Sequence, residues 1–258
     1  MTSTLLTGSQ HAHLEEAAFE RAAEIAESSL GSVLYITRND ARRSEVEDNW
    51  ATTHDPLSLR AETLDAVVRE WYEELHGPVQ PLSGQLNRRL AEYALDRTTA
   101  ETDGALAGEP ASAALADSFS SRFSLFDDAG VGTADALAAE FEASALDDRI
   151  AAATVDAYRH YHDLYADYVD EWVCTRGEMF DAVATAEQSL SALSPELDVV
   201  VFSGYHEFRP VERRLIERLV DELPMIAVLP LHQDGRSGVD AVAEDALDVY
   251  EALDFEAV

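Results

Sequence analysis

The first and last thirds of the sequence alternate short apolar runs with stretches of helical periodicity, and this alternation restricts the fold more than any other feature. Runs this short and apolar are typical of strands buried on both faces of a sheet. Strands separated by helices favour parallel pairing with right-handed crossovers. The predicted strands are Thr4–Ser9, Val33–Thr37, Leu57–Ala61, Leu197–Phe202 and Met225–Leu231, and a further strand is expected to begin near Phe255. The predicted fold class is therefore α/β, with a parallel sheet covered by helices on both faces.

The middle of the sequence has helical spacing of its apolar residues, so we predict a large all-helical insertion in the α/β core. Leu82–Leu193 contains no predicted strand, and two loops, Thr98–Pro110 and Asp127–Thr133, break its helices. The resulting division is residues 1–80 for the first part of the core, 81–193 for the insertion and 194–258 for the second part. Helices of the core are expected at His13–Ser28, Thr63–Leu75 and Pro210–Leu223.

The sequence contains no lysine: all 18 basic side chains are Arg, against 51 Asp and Glu, for a formal charge of −33. A chain this acidic repels itself at low salt, whereas at molar salt the Debye length falls to about 3 Å and the repulsion is screened. The composition therefore indicates a protein from a salt-in halophile. The missing lysine also excludes Schiff-base mechanisms and the phosphate-binding lysine of a P-loop.

Cys174 is the only cysteine, which excludes an intramolecular disulfide and a metal site built from cysteines. The first ten residues have neither a basic segment nor a long apolar run, and no later stretch is apolar enough for a membrane span. We therefore expect a soluble, cytoplasmic protein with no membrane partner. No motif indicates a cofactor.

The turn after the first predicted strand lies where P-loop proteins have their phosphate-binding loop. The residues of this nucleotide-loop position are Thr7, Gly8, Ser9, Gln10 and His11. The second glycine, the lysine and the following Ser or Thr of the P-loop motif are missing, and with them the phosphate cation and the magnesium ligand. We interpret the segment as a plain turn before a helix, with phosphate contact at the helix N-terminus as the alternative.

The turn after Leu197–Phe202 is the second place where a P-loop helicase carries its chemistry. There an acidic residue holds magnesium, and a neighbouring carboxylate orients the attacking water. The residues of this magnesium-strand position are Ser203, Gly204, Tyr205, His206 and Glu207. Ser203 and Gly204 replace the acids, so no catalytic residue is assigned. His206 beside Glu207 is an alternative acid/base pair, although adjacency in sequence does not orient two side chains towards each other.

Four segments resemble the amino-terminal region of AddB/RexB-type helicase-nuclease subunits, which are relatives of the UvrD/Rep helicases. The segments are Leu5–Gly8, Val33–Arg38, Pro81–Leu95 and, with the most specific match, Val199–Leu231. In that family a strand ends in an Asp-Gly-Phe-like turn, a helix rich in Leu and Glu follows, and the next strand ends in Leu-Pro. Phe202–Pro210 and Val228–Leu231 are similar. The resemblance implies a P-loop-NTPase-like sheet and a role in DNA repair.

Two departures from the family pattern restrict what the resemblance implies. The lysine of the ATP-binding loop and the acid of the magnesium-binding strand are absent, so no ATPase role transfers to any residue. The sequence also ends before the family's second helicase domain and its nuclease with iron-sulfur cysteines. The resemblance therefore implies a helicase-like scaffold that contacts DNA, as a single strand or a duplex end, or a helicase or nuclease partner protein.

Arginine supplies the only fixed cations for contact with DNA phosphates. The candidate DNA contacts are Arg38, Arg42 and Arg43, and the other arginine pairs are Arg88/Arg89 and Arg213/Arg214. Such residues can form a local basic groove within an acidic surface. The alternative interpretation is that they are solvated residues on helix surfaces.

Two His-x-His pairs, His11/His13 and His160/His162, raise the question of a metal site. In a helix the two rings of such a pair point about 200° apart. The pair at His160 and His162 falls in a predicted helix, so a site using both rings is not expected. We predict surface positions for His160, His162, Asp163 and Asp167, and no bound metal.

Five aromatic residues recur at alternating spacings of three and four within Val155–Val173, which places them along one stripe of a helix. They are Tyr158, Tyr161, Tyr165, Tyr168 and Trp172. Tyrosine at helical spacing in an apolar segment is typical of a core. The alternative is a surface on which single-stranded nucleic acid stacks its bases.

The leading hypothesis from the sequence is a catalytically inactive, UvrD-like helicase domain. It would be a structural or DNA-contacting part of a DNA repair helicase-nuclease system. The first alternative is a protein-interaction subunit that binds no DNA, which the net charge favours. The second is a metal-dependent or acid/base hydrolase that uses His11, His13, His206 or Glu207.

Overall fold

The computed structural model describes residues 3–8, 10–26, 30–101, 112–230 and 246–257. Their contacts divide the chain into two compact units. The first unit is formed by two separate stretches, Met1–Leu75 and Ala182–Val258, and the second by the intervening stretch His76–Asp181. The first contains the main sheet, and the second consists mostly of helices.

The described residues contain eight strands, numbered here along the chain. They are β1 (Ser3–Gly8), β2 (Val33–Thr37), β3 (Leu59–Thr63), β4 (Gln80–Pro81), β5 (Val173–Cys174), β6 (Val199–Ser203), β7 (Met225–Pro230) and β8 (Phe255–Ala257). The helices are α1 (His11–Ile25), α2 (Arg43–Ala51), α3 (Leu64–His76), α4 (Gly84–Glu101), α5 (Ala113–Asp128), α6 (Ala134–Glu142), α7 (Asp148–Tyr168), α8 (Arg176–Thr185), α9 (Leu190–Leu193) and α10 (Pro210–Glu222). A 3₁₀ turn at Asp40–Arg42 precedes α2, and residues 246–252 are helical.

Six strands form one sheet in the order β3-β2-β6-β7-β1-β8, and every neighbouring pair is parallel. The predicted α/β fold with a parallel sheet is therefore confirmed. β7 lies between β1 and β6, so the two strands that lead into the nucleotide-loop and magnesium-strand positions are separated by one strand. All residues of β2 and β6 are buried, as expected for strands inside a parallel sheet.

Aromatic side chains fix α1 and α2 against the sheet. Phe19 of α1 meets the rings of Tyr35 and Trp50 edge-on, with ring centroids 5.8 Å and 5.4 Å apart. Edge-to-face contacts of this kind add to the stabilisation that burial provides. The indole N–H of Trp50 donates to the carbonyl oxygen of Asp55 at 2.8 Å, so the buried polar group is satisfied. This packing holds the ring of Tyr35 beneath α1.

The second unit is built around α4, α5, α6 and α7. Phe123 lies at its centre, 5.1 Å from the ring of Tyr158 and 4.9 Å from that of Tyr161. The core prediction for the aromatic stripe of α7 holds for these two tyrosines, which are buried. It is wrong for Tyr168 and Trp172, which are exposed, because α7 ends at Tyr168 and Trp172 lies beyond the helix.

Several predicted boundaries differ from the structure. β3 begins at Leu59, two residues later than predicted, and α1 begins at His11 rather than His13. The helical spacing of Leu82–Leu193 concealed β5, because a strand of two residues is too short to produce an alternating pattern. β5 pairs with β4, with Gln80 opposite Val173.

The predicted loop Thr98–Pro110 begins too early, since α4 continues to Glu101. The hydroxyl of Thr98 donates to the carbonyl oxygen of Ala94 at 2.8 Å and is satisfied within the helix. Residues 102–110 of that loop lie outside the described residues. Among the helices that the structure describes, none is both long enough and apolar enough to cross a membrane.

Candidate functional site

The candidate site lies at the edge of the sheet where β1, β2 and β6 end. Because these strands are parallel, their carboxyl ends meet at the same edge, which is where open α/β sheets bind ligands. α1 begins directly after β1, the 3₁₀ turn follows β2, and Ser203 is the last residue of β6. The chain therefore brings the nucleotide-loop and magnesium-strand positions together.

A direct contact joins those two positions. Nε2 of His11 is 3.2 Å from Oγ of Ser203 and 3.1 Å from Nη1 of Arg42. A guanidinium can only donate, so Nε2 of His11 carries no proton and accepts from Arg42. The hydroxyl of Ser203 then donates to the same nitrogen. Burial, and after it the positive charge of Arg42, lowers the pKa of His11, in agreement with a neutral ring.

A buried carboxylate completes the network. Glu15 lies one helical turn after His11 and is only 5% exposed. Its Oε1 accepts from Nη2 of Arg42 at 2.9 Å and from the hydroxyl of Tyr35 at 2.8 Å. Burial and the nearby negative charge of Glu15 raise the pKa of Tyr35, which keeps its hydroxyl protonated as a donor. We define this set, His11, Glu15, Tyr35, Arg42 and Ser203, as the edge network.

The edge network restricts the chemistry available at the sheet edge. A neutral imidazole beside a serine hydroxyl is the pair from which nucleophilic catalysis is built. Here, however, the lone pair of His11 also accepts from Arg42, whose positive charge, after burial, lowers the pKa of the ring. The histidine is therefore a weaker base than in a catalytic pair.

The remaining residues of the magnesium-strand position differ in their surroundings. Gly204 has a φ of +78°, a conformation that favours glycine. The hydroxyl of Tyr205 donates to the carbonyl oxygen of Thr37 at 3.3 Å. The hydroxyl of Tyr250 donates to the backbone carbonyl oxygen of Tyr205 at 3.0 Å. Burial raises the pKa of Tyr205. His206 is half-buried and Glu207 is exposed.

The other residues of the nucleotide-loop position are more ordinary. Thr7 and Gly8 are the last residues of β1 and are half-buried, and Gln10 precedes α1 without a capping hydrogen bond from its side chain. Ser9 lies outside the described residues. His13 is exposed, so its ring is apart from the edge network that His11 joins.

The three candidate DNA contacts lie in different surroundings. Arg38 is exposed. Arg42 belongs to the edge network. Arg43 donates from Nη2 to Oε1 of Glu62 at 2.7 Å and from Nε to the carbonyl oxygen of Ala61 at 2.9 Å. Two of the three guanidinium groups are therefore engaged by the protein itself.

Sequence reasoning missed Glu15, although a signal was present. The buried residues of α1 are Glu15, Ala18, Phe19 and Ala22, which are spaced as one face of a helix. A carboxylate at such a position has to be neutralised or hydrogen-bonded by the rest of the protein. The position of Glu15 on the buried face of α1 therefore predicts a partner for its carboxylate, but the sequence does not identify that partner.

A second buried polar cluster lies in the helical unit, around Asp127 near the end of α5. The hydroxyl of Tyr158 is 2.7 Å from Oδ1 of Asp127 and 2.5 Å from the carbonyl oxygen of Val131. The single proton of that hydroxyl is shared between the two acceptors. Burial, offset in part by the hydrogen bond from Tyr158, raises the pKa of Asp127 to about 7.

His162 lies beside this cluster on α7. Its Nε2 is 4.0 Å from Oδ1 of Asp127 and has no hydrogen-bond partner among the described residues. Burial lowers the pKa of His162. The predicted surface position is therefore wrong for His160 and His162, which are both half-buried. Asp163 and Asp167 are exposed, as predicted. In the described part of the chain, no three His, Cys, Asp or Glu side chains are grouped to hold a metal ion.

Glycine is required where α8 approaches the end of α5. A Cβ atom at Gly177 would lie 2.5 Å from the carbonyl oxygen of Asp127, which is backbone and cannot move aside cheaply. We expect Gly177→Ala to lower the free energy of unfolding by about 1–3 kcal/mol, the usual cost of overpacking. Denaturant unfolding in molar KCl measures it. Gly84→Ala is the matched control because nothing lies within 4 Å of the added Cβ, and equal stability of the two variants would contradict the prediction.

Comparison with known proteins adds no family assignment to this geometry. No protein-family model matches the chain. No curated protein sequence is significantly similar to it. The resemblance to AddB/RexB-type subunits therefore stays a prediction from the sequence.

Proposed function

We propose that this chain is a catalytically inactive, UvrD-like helicase domain with a P-loop-like sheet and a helical insertion. It serves as a structural or DNA-contacting part of a DNA repair helicase-nuclease system. The observation that carries the proposal is the hydrogen bond between His11 and Ser203, which joins the two places where an active domain would bind nucleotide and magnesium. A partner protein would supply the missing activity.

The expectation of no ATP hydrolysis rests on the residues at the sheet edge. Phosphoryl transfer by P-loop proteins depends on a lysine at the β and γ phosphates and an acid that holds magnesium. The chain has no lysine, and Ser203 ends the strand that would carry the acid. The buried carboxylate nearby, Glu15, already accepts from Arg42 and Tyr35. Its charge is therefore satisfied without a metal ion.

The proposal predicts DNA binding that does not depend on ATP. We expect a fluorescently labelled single-stranded DNA to bind the chain saturably in molar KCl, with the same dissociation constant with and without ATP and magnesium. Fluorescence anisotropy measures the binding, and release of inorganic phosphate measures ATP turnover. Molar salt is used because it screens the repulsion among the acidic side chains.

A lysine variant provides the control for that experiment. Gln10→Lys restores a cation in the nucleotide-loop position, yet we expect no ATP turnover because Ser203 still stands where the magnesium-binding acid would be. Turnover of ATP by the unmodified chain would overturn the inactive-domain proposal.

The second candidate function is a protein-interaction subunit that binds no DNA. The formal charge of −33 favours it, because phosphate backbones are repelled by an acidic surface. The engagement of Arg42 and Arg43 by Glu15 and Glu62 also favours it, because it removes two of the three candidate DNA contacts. No DNA binding at any salt concentration would support this function over the DNA-contacting one.

A further inference from the structure

A groove in the helical unit combines aromatic rings with arginines. It has a volume of about 730 Å³ and lies between α4 and α7. Leu90 and Leu164 are buried and line its apolar part. Tyr93 and Tyr168 also line it, and their side chains are 62% and 72% exposed. Large aromatic side chains exposed to this extent are available for contact with a ligand.

The aromatic and cationic residues of α4 alternate along one face. Arg89, Tyr93 and Arg97 are spaced by four residues and all line the groove. Side chains at this spacing lie next to each other, with about 6 Å between neighbouring Cβ atoms. The helix therefore presents a cation, a flat ring and a second cation in a row, with Tyr168 on the helix opposite.

Arg89 and Arg97 form no ion pair within the part of the chain that the structure describes. The neighbouring Arg88 does, with Nε 3.0 Å from Oδ1 of Asp117. Acidic residues outnumber arginines by 51 to 18 in this chain, so it is unexpected that neither Arg89 nor Arg97 pairs with an acidic side chain among the described residues. Asp96 is the acidic residue among those that line the groove.

We propose that this groove binds single-stranded nucleic acid, with bases stacked on Tyr93 and Tyr168 and phosphates at Arg89 and Arg97. Stacking on aromatic rings combined with a cationic track for the backbone is how proteins hold single strands without reading their sequence. Leu86 and Ala100 both line the groove and are about 21 Å apart along α4. That length suits several nucleotides of a strand rather than one mononucleotide.

The proposal rests on the DNA-contacting form of the proposed function and assigns the contact to the helical unit instead of the sheet edge. The two guanidinium groups favour a polyanion as the occupant, because each lies one helical turn from the ring of Tyr93 and neither pairs with an acidic side chain among the described residues. The acidity of the rest of the surface would confine a nucleic acid to this track.

The stacking contact is tested with Tyr93→Ala and Tyr93→Phe, using a labelled dT12 strand and fluorescence anisotropy in 1 M KCl. We expect Tyr93→Ala to weaken binding about tenfold, whereas Tyr93→Phe, which keeps the ring, binds within about twofold of the wild type. Both substitutions are at an exposed position, so the fold is retained. Equal weakening by both variants, or by neither, would overturn the stacking contact.

The phosphate contacts are tested by the salt dependence of binding between 0.5 and 2 M KCl. Each phosphate neutralised on a single strand contributes about −0.7 to the slope of log K against log salt. We therefore expect the double variant Arg89→Gln/Arg97→Gln to have a slope about 1.4 shallower than the wild type. Arg88→Gln is the control, because it removes one positive charge from a neighbouring residue that already pairs with Asp117, and it should leave the slope nearly unchanged.

Arg38→Gln separates this proposal from the wider one. If Arg38→Gln weakens binding and the groove variants do not, the DNA contact lies at the sheet edge. The groove proposal is then overturned while the proposed function stands. If the wild-type chain binds neither dT12 nor a longer strand, both the groove and the DNA-contacting function fail. A competing mononucleotide that displaces dT12 at equal concentration would overturn the assignment to a strand.

Discussion

Replacing Asp127 with Asn is expected to raise the free energy of unfolding above pH 7 and to leave it nearly unchanged near pH 4. The asparagine side chain is uncharged at every pH, as a protonated Asp127 is, and its carbonyl oxygen can still accept from the hydroxyl of Tyr158. The wild-type chain loses the uncharged side chain when the carboxyl group ionises in its buried position. The variant should therefore be more stable than the wild type at alkaline pH.

The direction of this pH dependence follows from the pKa of Asp127 in the unfolded and in the folded protein. Its ordinary pKa is 3.8, and burial raises the pKa in the folded protein to about 7. Between these values the folded chain binds a proton that the unfolded chain has released, so stability falls as the pH rises. Below pH 4 both states are protonated, and above pH 7 both are ionised, so the contribution is constant there. The full loss amounts to at most about 4 kcal/mol.

Other titratable or charged groups face Asp127 from each neighbouring element. They are Asp128 on α5, Tyr158, Tyr161 and His162 on α7, and Arg176 and Glu178 on α8. Asp128 pairs with Arg176 at 3.3 Å, and burial lowers the pKa of His162, which favours the neutral ring. Asp127 is therefore the group in this cluster whose charge changes near neutral pH.

The measurement is denaturant unfolding of the full chain in molar KCl at pH values from 4.5 to 8.5. At each pH the free energy of unfolding of the variant is subtracted from that of the wild type. Subtraction removes the pH dependence of all other groups. Asp135→Asn is the control, because the carboxylate of Asp135 is 97% exposed and its replacement should give a flat difference. A flat difference for Asp127→Asn as well would show that Asp127 is ionised throughout.

The sheet was predictable from the sequence because its strands are continuous apolar runs. Val33–Thr37 was predicted with both its ends, and every residue of it is buried. The predicted bounds of β3 were two residues too early. This strand lies at the edge of the sheet, where some of its side chains are partly exposed, so its apolar run is shorter. Pairing of β4 with β5 joins segments more than ninety residues apart and leaves no local pattern.

The polar networks could not be predicted in the same way, because they are made by residues distant in sequence. His11 and Ser203 are 192 residues apart, and Tyr158 and Asp127 are 31 apart. The sequence indicated that the nucleotide-loop position has no lysine and that no acid follows directly after β6. It did not indicate that Glu15 and Arg42 would bond there, since any Arg can neutralise a buried carboxylate.

The edge network gives the second large prediction: Arg42→Met should lower the free energy of unfolding by about 2–3 kcal/mol. Breaking a buried ion pair by removing one partner leaves an uncompensated charge, which costs about 3–5 kcal/mol when both groups are fully buried. Here Glu15 is buried but the side chain of Arg42 is 32% exposed, so water recovers part of the loss. Arg21→Met, which breaks an exposed pair with Glu24, should cost under about 0.5 kcal/mol.

A double-mutant cycle with Glu15→Gln tests whether the cost arises from the unpaired carboxylate. Glutamine carries no charge, so Arg42→Met should cost much less in a Glu15→Gln background, and the two substitutions should couple by at least about 1 kcal/mol. The pKa of His11, measured by NMR titration, provides a readout independent of stability. Arg42 lowers that pKa, so Arg42→Met should raise it. Additive effects on stability together with an unchanged pKa of His11 would mean that the edge network is not formed in solution. In that case its hydrogen bonds would not satisfy the polar groups of the sheet edge without a nucleotide.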